Sequence, residues 1–236
     1  MGPSAVPRGA QLIRQAPSPN FGPRRGGLAP RYIVLHYTAM ASAAAAEERL
    51  SDPAFEVSAH YVLARSGAVT QLVAEEMRAW HAGAGAWRGQ VDMNSRSIGI
   101  ELANTGHERY PSAQIAALVA LMGQIMERWE IPPARVIGHS DMAPGRKIDP
   151  GRRFPWAALE TAGVALGRCG RRHTTASLSA LAQEIGYPEA APDVILEAFR
   201  SRFAQGRLGP PRAVDLEEMA WLAQTLDALD PRDGGA

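Results

Sequence analysis

The sequence predicts an α/β protein: a mixed central β-sheet flanked by helices, followed by a small C-terminal three-helix domain. Three observations carry this expectation. Apolar runs of strand length alternate with stretches of helical spacing between residues 31 and 166. A period-two pattern around Ser66-Gly67 marks a hairpin and gives the sheet antiparallel character. From about residue 173 the composition changes to short amphipathic helices. A chain of 236 residues suits one sizeable domain with a small companion. The expected division is an arm over 1–30, the main domain over 31–166, a linker over 167–172 and the helical domain over 173–230.

Residues 1–30 are rich in proline, glycine and arginine, lack periodicity, and read as an extended arm lying over the domain. Residues 31–37 are an unbroken apolar run, as in a central strand buried on both faces. The alanine-rich stretch 40–50 predicts a helix stopped by Asp52-Pro53. Residues 58–64 and 68–73 are the arms of the hairpin. The stretch 79–95, rich in glycine and tryptophan and without a clear period, predicts a long loop, and such loops are uncommon unless functional. In the strand over 97–102, Ile98, Ile100 and Leu102 share one face, and Ser97, Gly99 and Glu101 share the other. Two small neighbours leave room beside Glu101 for a ligand, although a surface glutamate gives the same pattern.

Ser112 is the expected N-cap of a long helix striped by Ile115, Leu118, Met122, Ile125 and Trp129. The chain returns through Pro132-Pro133 to a strand ending at His139. Helices are then expected over 177–185, 193–203 and 215–229, the last opening on Asp215-x-x-Glu218 in the manner of a capping box. Ile195, Phe199 and Phe203 line the second of these; Leu216, Met219, Leu222, Leu226 and Leu229 stripe the third. These stripes predict a three-helix core rather than chemistry.

Composition excludes several functions. A net charge of +1, without a basic stripe interleaved with aromatics, argues against a nucleic-acid surface. No run of 18 apolar residues occurs, so no membrane span is expected. The first ten residues hold neither a signal-peptide core nor a cysteine for lipid attachment, which predicts a cytoplasmic protein; the alternative is the periplasm or cell envelope after loss of a leader. Cys169 is the single cysteine, so a zinc site must draw on histidine and carboxylate.

The chemistry concentrates in residues 135–150. His139 closes a β-branched run, Pro144-Gly145 marks a turn, and Lys147 and Asp149 point to the same side if the backbone there is extended. One reading is a solvated loop with an ordinary Lys–Asp pair. The other is a metal site with an electrophilic partner: His36 and His139 at strand ends and Asp149 supply two imidazoles and a carboxylate, leaving a fourth position on zinc.

In order along the chain stand His36-Tyr-Thr, Ser58-Ala-His-Tyr-Val62, Trp80-His-Ala-Gly83, Asn94-x-x-Ser-Ile-Gly-Ile-Glu101 and Gly138-His-Ser-Asp-x-x-Pro-x-Arg-Lys-x-Asp-Pro150. Together they resemble the zinc-dependent N-acetylmuramoyl-L-alanine amidases of type 2, in the AmpD and AmiD branches, related to peptidoglycan recognition proteins. The resemblance covers roughly residues 16 to 165. It implies one Zn2+ per chain held by His36, His139 and Asp149, with Glu101 as general base and Lys147 as stabiliser of the oxyanion. It further implies peptidoglycan fragments or muropeptides as substrate, and residues 173–230 are similar to the small peptidoglycan-binding modules of AmiD-like enzymes, or else are a helical cover. We expect a monomer. Asp149 stands where many recognition proteins and phage amidases have a cysteine ligand, which places the chain with the Asp-type bacterial enzymes. Tyr37 stands where some relatives have asparagine.

Candidate substrate contacts are Tyr37, Arg65, His81, Trp87, Asn94 and Arg146. For His81 a contact to substrate and a role behind the ligands are both open, as are loop support and substrate binding for Asn94. His60 reads as a structural hydrogen-bonder, and His107 and His173 as solvated. The rival functions are a non-catalytic recognition module of the same fold and a zinc peptidase cutting within the stem peptide.

Overall fold

The computed structural model describes residues 12–230. In chain order its elements are β1 (Ile13–Gln15), β2 (Phe21–Pro23), β3 (Tyr32–Tyr37), α1 (Ala43–Ser51), β4 (Tyr61–Leu63), β5 (Val69–Gln71), β6 (Met77–Ala79), α2 (Met93–Arg96), β7 (Ser97–Leu102), α3 (Ser112–Trp129), β8 (Val136–Gly138), α4 (His139–Met142), α5 (Trp156–Thr161), α6 (Leu178–Ile185), α7 (Pro192–Phe203) and α8 (Ala213–Leu229). The main sheet has the order β1-β5-β4-β7-β3-β8. Its four strands β4, β7, β3 and β8 are mutually parallel, while β5 runs against β4. This is the mixed sheet that the alternating pattern predicts.

Register decides what each face carries. Along β3, Ile33 and Leu35 join the cluster built on Ile98, Ile100, Leu118, Leu121 and Ile125, so α3 covers that face with apolar side chains. Tyr32 and Val34 point the other way and pack with Ile137, Met142, Ile185, Phe199, Met219 and Leu222. The helices α6–α8 therefore share a core with the sheet, where the sequence suggested a core of their own. His36 and Glu101 are Cα partners in adjacent strands, and by parity they emerge on the face opposite α3.

Several local expectations change. Within the arm, β1 pairs parallel with β5 and β2 antiparallel with β6; three-residue strands are too short to show a period. Residues 1–11 of the arm, with the segment on which the leader expectation rested, lie outside the described residues. Helix α1 starts at Ala43, where Ser42 Oγ accepts the N–H of Ala45. Pro111, not Ser112, is the N-cap of α3, so Ser112 is its first helical residue. Arg212 precedes α8, and Asp215 sits at its third position, accepting the Arg212 N–H at 2.8 Å. Among the described residues no helix is long and apolar enough to cross a membrane.

Candidate metal centre and active site

Three parallel strands end together and bring the chemistry to one edge. His36 stands beside Glu101, and His139 follows Gly138, the partner of Leu35. Asp149 reaches the same point because the 143–149 loop folds back on α4: Lys147 N–H donates to Ala143 O, and Ser140 N–H donates to Asp149 O. His36 Nδ1 lies 2.9 Å from His139 Nδ1 and 2.9 Å from Asp149 Oδ2; His139 Nδ1 lies 3.1 Å from the same oxygen. All three side chains are buried. Among the described residues they form the group whose ligand atoms, all within 4.8 Å of one another, suit a metal ion. Tetrahedral ligands at zinc distances are separated by about 3.3 Å, close to what is seen.

Hydrogen bonds behind the rings fix which nitrogens face inward. Ala82 O lies 2.9 Å from His139 Nε2. A carbonyl only accepts, so Nε2 carries the hydrogen and Nδ1 presents a lone pair. For His36 the reasoning runs through two more groups. Ser97 Oγ donates to Met93 O, which leaves it to accept from His81 Nε2 at 3.4 Å. His81 Nδ1 is then an acceptor for His36 Nε2 at 3.1 Å, and His36 Nδ1 also faces inward as a lone pair. Two lone pairs and a carboxylate oxygen within about 3 Å repel one another unless a cation lies between them, so the donor set fits a metal.

The 80–84 segment that supplies these outer partners is itself clamped. Asn94 Oδ1 accepts the N–H of His81 at 3.0 Å and that of Ala82 at 2.8 Å. The His81 ring lies directly over Gly99, where a Cβ would come within 2.3 Å of the ring. Glycine is needed there for contact alone. Beneath it, His60 Nδ1 accepts the N–H of Gly99, and burial lowers the His60 pKa to about 3, keeping the ring neutral.

Electrostatics separates the carboxylates. Burial, aided by the charge of Asp149 and opposed by Lys147, pushes Glu101 up to about 8. Its Oε2 is buried and makes no hydrogen bond to the protein. Burial also acts to raise Asp149, but its close contacts with His139 and His36 outweigh that and hold the carboxyl well below its usual range. Burial lowers His36 to about 4, with His139 adding to the effect.

These groups open into a cleft of about 540 Å³ lined by His36, Glu101, His139, Lys147 and Asp149. Of the expected substrate contacts, Tyr37, His81 and Arg146 also line it. The other three lie outside its lining. Trp87 is 2% exposed and packs edge-on against Tyr187, joining the sheet side to α6–α8. Asn94 is buried and spends its carbonyl oxygen on the loop. Arg65 pairs with Glu108 at 2.7 Å, outside the cleft lining. His107 and His173 are exposed. Sequence reasoning missed Ser97 and the Ala82 carbonyl as orienting groups; Ser97 registered only as a small residue, and a backbone carbonyl leaves no signal.

A parallel-strand edge presenting two imidazoles, two carboxylates and a lysine in one cleft marks an α/β protein with a site suited to a metal ion. Residues 26–152 match the family model described as N-acetylmuramoyl-L-alanine amidase. The chain is 36% identical over 211 residues to the N-acetylmuramoyl-L-alanine amidase AmiD of Escherichia coli (strain K12), spanning 73% of this chain and 74% of that protein. It is 42% identical over 101 residues to the 1,6-anhydro-N-acetylmuramyl-L-alanine amidase AmpD of Haemophilus influenzae, covering 42% of this chain and 55% of that one. Among solved structures it is similar to E. coli AmiD in complex with anhydro-N-acetylmuramic acid-L-Ala-D-gamma-Glu-L-Lys, with a TM-score of 0.76, 31% identity, and coverage of 88% of this chain and 93% of that one. It is likewise similar to AmpDh3 from Pseudomonas aeruginosa in complex with anhydromuramic pentapeptide, with a TM-score of 0.73, 30% identity, and coverage of 83% and 92%. The chain belongs to the N-acetylmuramoyl-L-alanine amidase family.

Proposed function

We propose that the protein is a zinc-dependent amidase that cuts the bond between N-acetylmuramic acid, or its anhydro form, and the L-alanine of the stem peptide. The observation that carries this reading is the convergence of two inward lone pairs and Asp149 Oδ2 beside an unpartnered Glu101 and Lys147. His36, His139 and Asp149 would hold one Zn2+, which when bound acts as a Lewis acid and makes a water molecule acidic near neutral pH. Glu101 takes a proton from the attacking water through Oε2 and hands it to the departing alanine nitrogen, so the carboxyl ends the cycle as it began. The Lys147 ammonium stabilises the negative charge that develops on the lactyl carbonyl oxygen. Tyr37, His81 and Arg146 line the cleft where substrate would lie; for His81, the bond to His36 supports an orienting role.

Purified protein should release stem peptide from anhydro-muropeptides, and a chelator should stop the release. No peptide from either sample would favour the non-catalytic recognition module, and cuts within the stem peptide would favour a peptidase. Running the assay on intact sacculi as well separates a cytoplasmic recycling role, in which only small anhydro-muropeptides are cut, from an envelope role.

A further inference from the structure

His139 is held by segments that the C-terminal helices in turn secure. It opens α4, a turn of four residues, and a helix that short has no stability of its own in water, so its orientation depends on what binds it from outside. Asp141 Oδ2 accepts the N–H of Gly138, the residue before His139, at 2.8 Å. The same oxygen accepts from Arg202 Nη1 of α7 at 2.6 Å, while Arg202 Nη2 donates to Val136 O at 2.8 Å and to Leu166 O at 3.3 Å. One guanidinium therefore ties strand β8, before the ligand, to the turn after it. Both partners of the ion pair are buried, and the guanidinium lies 4.4 Å from the centre of the Trp156 ring. We propose that Arg202 is a positioning residue for the metal centre, acting through Asp141 on His139, so that the α6–α8 unit completes the site; this rests on the zinc amidase reading above.

Placement within the helix supports the assignment. Arg200 and Arg202 stand two apart in the last turn of α7, and side chains at that spacing leave a helix on different faces. Arg200 turns to α8, where it donates to Asp215 at 3.1 Å and holds the helical unit to itself. Arg202 turns to the sheet. A buried ion pair adds little stability over apolar side chains of the same volume, so packing alone does not call for one here. What the guanidinium adds is direction, because its planar fork spans two acceptors at fixed angles.

A second tie acts on the other side of the ring. His139 Nε2 bonds Ala82 O, and the chain that follows Ala82 is anchored in the same way. Ala86 N–H donates to Met142 O at 3.0 Å, and Trp87 packs against Tyr187. Arg88 donates to Ile185 O at 3.1 Å and to Asp230 O at 2.9 Å. The helices thus reach His139 through its backbone and through its ring. His36 is oriented from within the sheet domain, through His81 and Ser97. The two imidazoles depend on different parts of the chain.

The test reads zinc affinity of the folded protein by competition with a chromophoric chelator. Arg202→Met combined with Asp141→Asn removes both charges, leaves no buried ion unpaired, and keeps an oxygen for the Gly138 N–H. Its affinity should fall about tenfold, the low end of what groups orienting metal ligands contribute, because Arg202 acts through a neighbour. In ring-nitrogen NMR spectra of the zinc-loaded variant the His139 signals should shift and those of His36 should hold, a signature that mere docking of the helices would not produce. Arg202→Lys keeps a charge beside Asp141 but gives up the fork, and should lose less affinity than the double variant. Unchanged affinity in the double variant, or in Arg202→Lys if the double variant does not fold, overturns the proposal, as do equal shifts at both histidines. A wild type that binds no zinc fails the amidase reading, whereas zinc held equally by wild type and variants fails this proposal alone.

Discussion

The two faces of the central sheet are built on different principles. Toward α3, the strands bury Ile33, Leu35, Ile98, Ile100 and Leu102 against Leu118, Leu121, Met122 and Ile125, a mainly apolar contact, with directional bonds only toward the ends of the helix, from Gln114 to Leu63 O and Ala103 O and from Arg128 and Trp129 to Glu75. Toward the site and α6–α8, apolar packing is joined by buried ion pairs and aimed hydrogen bonds. Arg202 of α7 reaches Asp141 at 2.6 Å and Val136 O at 2.8 Å, on either side of His139. Arg88 donates to Ile185 O and to Asp230 O. Hydrophobic burial stabilises a sheet but leaves a ring free to turn, so a face that must aim two imidazoles needs directional contacts.

The sharpest separation comes from Glu101. Glu101→Gln should reduce turnover by about 10²–10⁴-fold, the usual contribution of a positioned acid–base group. Bound zinc and thermal stability should persist, because Glu101 is proposed as the base rather than a ligand and its Oε2 makes no hydrogen bond to the protein. Metal analysis and melting curves check this, and loss of metal would place Glu101 among the ligands.

Leu118→Ala tests the opposite face. Leu118 is fully buried in the α3 cluster, so the truncation should cost roughly 2–5 kcal/mol in denaturant unfolding. Zinc affinity of the folded fraction should match the wild type, and a parallel fall in both would erase the contrast between the faces.

Asn94 comes next. Asn94→Ala leaves the His81 and Ala82 N–H groups without their acceptor, freeing the segment that holds both imidazoles from behind. Zinc affinity should fall about 10–100-fold, in the range typical of groups that orient metal ligands. Asn94→Asp keeps an acceptor oxygen and should recover part of the loss. Competition titration with a chromophoric chelator measures both, and unchanged affinity in the alanine variant would make the clamp irrelevant to the metal.

What the sequence disclosed follows the same division. The apolar periodicity of β3, β7 and α3 was readable because burial selects residue type at fixed spacing, and strand-end positions drew attention to His36 and His139. Lys147 and Asp149 drew attention by their two-residue spacing after the Pro144-Gly145 turn, but a solvated Lys–Asp pair and a metal site stayed equally open until the family motifs stood beside them. The outer bonds to the ligands were hidden, since Ala82 acts through its backbone and Ser97 through a hydroxyl that any small polar position could carry. Arg202 was hidden too: it is far in sequence from Asp141 and Val136, which it braces, and an arginine in the last turn of a helix reads as solvated until the tertiary fold buries it. The packing of Trp87 against Tyr187 at the helix–sheet junction was hidden for a related reason, because an aromatic in a loop gives no sign of a partner a hundred residues on.

The smallest effect, absent at neutral pH, concerns acid. Asp215 is fully buried, and burial alone would raise its pKa; hydrogen bonds from Arg200 and Arg207 overcome that and lower it from the ordinary 3.8 to about 2. Since the folded value is the depressed one, the unfolded chain binds this proton first. The stabilisation is therefore complete above pH 3.8 and is lost as pH falls through about 2. Glu218 shares Arg207 with Asp215 and faces the same cluster. The apolar core under α3 has no such dependence, and the acid-sensitive tie of that helix, the depressed Glu75 carboxylate with Arg128 and Trp129, is confined to its last turn. Hydrogen exchange between pH 4 and pH 2 should accordingly show the amides of α7 and α8 opening before those of α3, whereas simultaneous opening would mean that the charged and apolar faces unfold as one unit.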